Sequence, residues 1–425
     1  MNTLQNHQHI FIVGVKGVAM AGIMTMLAQM GKKVSGSDTD ETQITDGLVT
    51  SSEVHVQGLD SALPDDVDLL IYSAAHGGSL SSQVKQANAK GIPVMHQAQA
   101  IRAISALFTY SIAICGCHGK TGTTALTVFV LKQLDMSISW LVGTPSFYGE
   151  DESGAIIGYA GAHFDPESTI FVYECDEYAV SPPQDLTPKL EFYSPTHAIC
   201  TNIDYDHPDV YRDIEHTRSV FHSFFKRCGW VYECNSKSIE GNKQGVVKLI
   251  EQLRDEGLLE PQGKSQSTHA IMKRFGGAKR RLEDYGESQG IHFYDDYGHH
   301  PAEIKATIHT LRAKYPNRRL VILFQSHTYS RTLRLRNEFV DALTLADLVY
   351  IDQVFPSARE KSDAEKITSQ DLEVLATQKG YTNIHGCASR EDLIQRAKLN
   401  MRTGDVLLTL GAGDIYKVIP ILEAV

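Results

Sequence analysis

A chain of 425 residues exceeds what one hydrophobic core ordinarily supports, so its composition, 42% hydrophobic and 21% charged, reads as two or three globular domains. The formal net charge of −11 excludes broad electrostatic binding to DNA or RNA, which needs basic surface to displace counterions from phosphates. No apolar run approaches the roughly 20 residues of a membrane span, and the first residues lack the basic start of a secretory signal, so a cytoplasmic protein with no membrane partner is expected.

The first unit is a strand from His9 to Val13, a turn at Gly14-Val15-Lys16-Gly17, and a helix that runs through Met30 and stops at Gly31. A second strand begins at Lys33 to Ser35 and ends near Asp38; further strands are expected at Asp68 to Tyr72 and Ile92 to Met95. Alternating strands and helices predict α/β units with parallel sheets. The turn after the first strand invites a dinucleotide-binding reading, hence an NAD oxidoreductase. The fingerprint glycines are missing, however: Lys16 and Ala19 stand where the second and third would be. A Rossmann-like turn that faces a diphosphate survives.

A second series opens at Tyr110 to Ile114 and leads into Gly116-Cys117-His118-Gly119-Lys120-Thr121-Gly122-Thr123-Thr124, followed by an apolar helix. Glycines there let backbone N–H groups approach an anion, the helix N-terminus adds its dipole, Lys120 meets phosphate and Thr121 holds Mg2+. It departs from the standard Walker loop, whose first glycine would fall at Ile114. Strands at Thr169 to Tyr173 and His197 to Thr201 run into Glu174, Asp176 and Glu177, and into Asn202, Asp204, Asp206 and His207. Ligands of parallel sheets gather at the carboxyl ends of strands, so Thr121, Glu174 and His207 are expected to converge on metal. Seven scattered cysteines fit reduced thiols, and Cys115-x-Cys117-His118 lacks the second pair of a metal site. The stretch from 228 to 270 is polar and weakly patterned.

A third series has strands at Ile291 to Tyr294, Leu320 to Phe324, Leu348 to Ile351 and Val406 to Thr409. Asp295-Asp296-Tyr297-Gly298-His299-His300-Pro301 precedes a Pro-initiated helix, and His327-Thr328-Tyr329-Ser330-Arg331-Thr332 follows another strand. An arginine beside His and Tyr suits recognition of an amino-acid carboxylate. Domains are thus expected at 1–106, 107–272 and 273–425.

In order, Gly-x-His-Gly-Lys-Thr-x-Thr-Thr (116–124), Glu-x-Asp-Glu (174–177), Thr-Asn-Ile-Asp-x-Asp-His (201–207), Phe-x-Gly-x-x-Arg-Arg (275–281), Asp-Asp-Tyr-Gly-His-His-Pro (295–301), His-x-Tyr-Ser-Arg-Thr (327–332) and Leu-Gly-Ala-Gly-Asp-Ile (410–415) resemble the motif series of the Mur ligase family. The resemblance spans nearly the whole chain and is strongest to the alanine-adding branch. It implies three α/β domains: a Rossmann-like N-terminal domain for a UDP-sugar, a central P-loop-type domain for ATP and metal, and a Rossmann-like C-terminal domain for the amino acid. The implied reaction joins L-alanine to the carboxylate of UDP-N-acetylmuramate through an acyl phosphate in peptidoglycan precursor synthesis, with ATP and Mg2+, or Mn2+ in its place. The chain would be a monomer or homodimer.

By the same resemblance, Lys120, Glu174, His207, His299 and Arg331 are catalytic, and Thr121, Glu174 and His207 hold metal. Gly116, His118, Gly119, Lys120, Thr121, Gly122, Thr123, Asn242, Arg280, Arg281 and Asp296 bind the nucleotide. Gly14, Gly17, Asp38, Ser73, Tyr297, His299, His327 and Arg331 bind the substrates. Two departures stand out: Thr328 replaces the usual Arg, and the span between Phe225 and Phe275 is short. A tripeptide-adding ligase of the family and a nucleotide-binding pseudo-ligase are the alternatives.

Overall fold

The computed structural model describes residues 4–41, 43–206, 210–259, 267–356 and 367–424. They form three α/β domains, each on a largely parallel sheet. The chain packs as two compact units, Met1–Ala278 with the first two sheets and Lys279–Val425 with the third.

The N-terminal sheet joins β1 (His9–Val13), β2 (Lys33–Ser37), β3 (His55–Gln57), β4 (Leu69–Tyr72) and β5 (Val94–His96) in the order β3-β2-β1-β4-β5, with every pair parallel. Strand β1 is buried along its whole length, which explains its unbroken apolar run. One face packs on Phe11, Val13, Leu70 and Val84. The other face, with Ile10, Ile12, Ile23 and Leu27, belongs to a core that continues into the central domain through Leu141, Ala162, Phe171 and Tyr173.

The central sheet contains β6 (Tyr110–Cys115), β7 (Ser139–Glu150), β8 (Ile156–His163), β9 (Ile170–Glu174), β12 (His197–Cys200), β13 (Trp230–Glu233) and β14 (Phe275–Ala278), in the order β13-β12-β6-β9-β7-β14 with β8 antiparallel to β7. A small hairpin, β10 (Ala179–Ser181) and β11 (Asp185–Pro188), lies between β9 and β12 in sequence. The phosphate-loop helix starts at Lys120 and ends at Gln133. The weakly patterned 228–270 stretch contains β13 and a helix Ile239–Asp255, capped by Ser238 and buried along Val246, Leu249, Ile250 and Leu253; residues 260–266 of it lie outside the described residues.

The C-terminal sheet orders β15 (Glu283–Ser288), β16 (Ile291–Asp296), β17 (Leu320–Phe324), β18 (Leu348–Ile351), β19 (Ile384–Gly386) and β20 (Val406–Leu410) as β15-β16-β20-β17-β18-β19, with β15 alone antiparallel. Apolar clusters cover both of its faces. All seven cysteines are free thiols. Among the described residues no helix is long and apolar enough to cross a membrane.

Candidate active site

Strand β6 ends at Cys115, and the next residue, Gly116, has φ +126. A Cβ there would sit 2.1 Å from Thr201 Oγ1, so only glycine lets the loop pass the end of β12. Thr201 Oγ1 and Asn202 Nδ2 both donate to the His118 carbonyl, at 2.6 and 2.8 Å, while Asn202 Oδ1 accepts from the His118 amide at 3.1 Å. Asn202 Nδ2 also donates to Ser236 O at 2.8 Å. The polar residues after β12 thus fix the loop before the helix begins. Gly119 is the N-cap, at φ +78. Behind the loop, buried Asn242 donates to Thr123 Oγ1 at 3.1 Å.

Lys120 Nζ donates to Gly116 O at 2.8 Å and to Glu177 Oε2 at 2.6 Å. Burial alone would lower the lysine pKa, but the charges of Glu177, Asp176 and Glu174 outweigh it and hold the ammonium well above its ordinary value. Thr121 Oγ1 donates to Glu174 Oε1 at 3.2 Å, and the Gly143 amide of β7 donates to Glu174 Oε2 at 3.0 Å. Cis oxygens around an octahedral Mg2+ lie about 3 Å apart, so the Thr121–Glu174 spacing fits such an ion. Among the described residues no three or more of His, Cys, Asp and Glu group as a metal cage. His207 lies outside the described residues. His118 Nε2 comes within 3.3 Å of Asp204 Oδ2, which also accepts from Lys237. The hydrogen bond from His118 and the contact with Lys237 outweigh burial and hold the Asp204 carboxyl well below its usual range.

In the N-terminal domain Gly14 has φ +76, its amide donates to Ser37 O at 2.8 Å, and a Cβ there would meet Ser73 Oγ at 2.6 Å. Gly17 caps the helix Val18–Gln29. Asp38 accepts from the amides of Lys16 at 2.7 Å and Thr39 at 2.8 Å. The structure therefore brings Gly14, Gly17, Asp38 and Ser73 to the carboxyl ends of β1, β2 and β4. The Lys16 side chain turns to Glu41 O at 3.0 Å and Asp46 at 3.6 Å.

In the C-terminal unit, Asp296 at the end of β16 accepts from the amides of Gly298 and Leu282 at 2.8 and 2.7 Å. Burial raises its pKa to about 6, against the lowering influence of Arg281. Arg281 lies over the Tyr297 ring at 5.0 Å. The rings of Tyr297 and His299 are 5.5 Å apart, and those of His299 and His327 6.4 Å. Arg331 lies in the helix Tyr329–Arg334, capped by Thr328. Arg280 is 3% exposed and donates to Asp295 and to the carbonyls of Gly411 and Gly413, fixing that turn.

Of the groups that hold Lys120, the His118 backbone and Glu174, the sequence names Glu177 and Asn202 without giving either a role in the site, and it does not name Gly143. Position after a strand was the available signal for Glu177 and Asn202. Nothing local marks Gly143.

A family model described as "Mur ligase family, catalytic domain" matches residues 9–109, and one described as "Mur ligase, glutamate ligase domain" matches 280–413. A UDP-N-acetylmuramate–L-alanine ligase from Desulfitobacterium hafniense is 30% identical, covering 96% of this chain and 98% of its own. Among solved structures, a UDP-N-acetylmuramate–alanine ligase from Thermotoga maritima matches with TM-score 0.72 at 20% identity over 98% of both chains. A murein peptide ligase from Psychrobacter arcticus matches with TM-score 0.68 at 18% identity, again over 98% of both. These two share the fold. The full-length identity carries the assignment: the chain belongs to the Mur ligase family of ATP-dependent amide-forming ligases.

Proposed function

We propose that the chain joins the amine of L-alanine to the muramoyl carboxylate of UDP-N-acetylmuramate in the cytoplasm. The observation that carries the ligase chemistry is the convergence of Lys120, Thr121, Glu174 and Glu177 at the carboxyl ends of β6 and β9. The choice of alanine is supported by full-length similarity to ligases of that name.

A carboxylate is a poor acyl donor because oxide is a poor leaving group; phosphorylation makes the leaving group phosphate. The loop amides after Gly116 and the Lys120 ammonium cradle the terminal phosphates of ATP, and Glu177 keeps that ammonium in place and charged. Mg2+, or Mn2+, when bound by Thr121 and Glu174, with His207 toward a second ion, neutralises charge on the phosphates. Gly14, Gly17, Asp38 and Ser73 face the UDP moiety. Asp296 serves the nucleotide, and Tyr297, His299, His327 and Arg331 receive the amino acid and phosphate, with Arg331 on the α-carboxylate. Domain limits near 106 and 278 go with this division of labour, the second beyond the expected 272 because β14 pairs with β7 of the central sheet, with Asn242, Arg280 and Arg281 assigned to the nucleotide, Arg280 through the turn it fixes.

The test is phosphate release with ATP, Mg2+ and UDP-N-acetylmuramate, comparing L-alanine, glycine, L-serine and L-alanyl-γ-D-glutamyl-diaminopimelate by kcat/KM. Release that requires all components and favours L-alanine is the expected result. Preference for the tripeptide overturns the amino-acid assignment, and nucleotide binding without release overturns turnover.

A further inference from the structure

Lys189 is 1% exposed. Its neighbours Asp185-Leu186-Thr187-Pro188 in β11 give no reason to bury a charge. A buried ammonium survives only where partners replace its hydration. Here they come from two domains. Nζ donates to Gln97 Oε1, the first residue of the N-terminal-domain helix Gln97–Ser105. On the other side Asp176 Oδ2 lies at 3.7 Å, and Nζ stands 3.7 Å from the centre of the Tyr178 ring. The Lys189 amide also donates to Tyr178 O at 3.0 Å.

Asp176 and Tyr178 belong to the same short segment as Glu174 and Glu177. The segment divides its residues between two tasks. Glu174 and Glu177 meet Thr121 and Lys120, whereas Asp176 and Tyr178 meet Lys189. A further anchor is the buried Tyr211, whose hydroxyl donates to Glu177 O at 2.6 Å. The carboxylates that face the phosphate loop are thus held from behind, and the hold continues to the N-terminal domain through Gln97.

We propose that Lys189 is a positioning residue for the metal–nucleotide site, setting the register of residues 174–178 against the phosphate loop and tying it to the N-terminal domain through Gln97. This rests on the ligase reading insofar as Glu174 serves a nucleotide-bound cation. A residue that only stabilised the fold would affect nucleotide binding alike with and without the cation; a positioning residue acts on the cation-dependent part.

The experiment titrates the full chain with fluorescent N-methylanthraniloyl-ADP in excess magnesium and in EDTA. Supporting residues of metal sites typically alter metal affinity tenfold or more. Lys189→Met is therefore expected to weaken binding about tenfold in magnesium and to change it less than about twofold in EDTA, with Lys189→Arg recovering most of the loss. Equal loss under both conditions, or none, overturns the proposal. If Lys189→Met does not fold, Gln97→Leu carries the test: it keeps the ammonium beside Asp176 and removes the helix anchor. A loss of about threefold confined to magnesium supports the proposal, and wild-type binding overturns it. A wild-type chain without magnesium-dependent affinity overturns both the ligase reading and this proposal; a variant indistinguishable from a magnesium-dependent wild type overturns this proposal alone.

Discussion

Lys120 Nζ and Glu177 Oε2 are 2.6 Å apart with both side chains largely sealed from solvent, so the charge assigned to phosphate is held by a carboxylate rather than by water. Removing one member of such a pair costs roughly 3–5 kcal/mol of stability, because the other charge stays buried. Loss of a contact to a developing phosphoryl charge costs about 100-fold or more in rate. Lys120→Ala is therefore expected to lose both turnover and melting temperature. Adding Glu177→Gln restores melting temperature without restoring phosphate release, which separates the two effects. Near wild-type turnover by the single variant removes the phosphate-loop assignment.

Glu174 spends one oxygen on Thr121 and the other on the Gly143 amide, so its position is set before any ion arrives. Glu174→Gln keeps the shape but loses the charge. The magnesium concentration for half-maximal phosphate release should rise about tenfold. An unchanged magnesium titration removes Glu174 from the metal site.

Asp296 titrates near pH 6 because burial disfavours its charged form, whereas the unfolded chain ionises it near 3.8. Between these values the unfolded state releases the proton first, so stability falls as pH rises from about 4 to 6 and is level above. Relative to wild type, Asp296→Asn should gain stability progressively across that window, by up to about 3 kcal/mol less the amide hydrogen bond it forfeits. Urea denaturation of both proteins at several pH values reads the difference. A difference independent of pH contradicts the raised pKa.

Gly14 and Gly31 have nearly equal φ, +76 and +77, but only Gly14 is crowded. Alanine at Gly31 meets nothing within 4 Å, so it shows the bare cost of a left-handed backbone, about 1 kcal/mol. Alanine at Gly14 must also displace Ser73 Oγ, which accepts from the Ala75 amide. Gly14→Ala should therefore cost about 1 kcal/mol more in urea denaturation and raise KM for UDP-N-acetylmuramate. Equal stability costs contradict the Gly14–Ser73 contact.

The strands that frame the site were legible because they are buried on both faces: His9–Val13 and Leu320–Phe324 match expectation residue for residue. The approach of Thr121 and Glu174 followed from the rule that parallel strands present ligands at one end. By contrast, β7 carries Gly143, Pro145 and Gly149, residues that ordinarily mark turns, so its strand character lies in its antiparallel pairing with β8 and β14 rather than in its local sequence. The helix Ile239–Asp255 hid its apolar face among Lys243, Gln244, Lys248, Glu251 and Gln252. The Lys120–Glu177 pair and buried Lys189 depend on side-chain direction across distant segments, which no local pattern encodes.

The core that runs from Ile23 and Leu27 under the N-terminal sheet to Leu141 and Ala162 of the central one sets how many parts of this protein melt independently. Three sheets need not mean three transitions. Scanning calorimetry should resolve two cooperative endotherms, one for residues up to Ala278 and one for the remainder. A fragment beginning at residue 107 would strip the helix Val18–Gln29 from Leu141 and Ala162, with Leu141 alone forfeiting about 1.5–3 kcal/mol of burial, and should aggregate rather than fold.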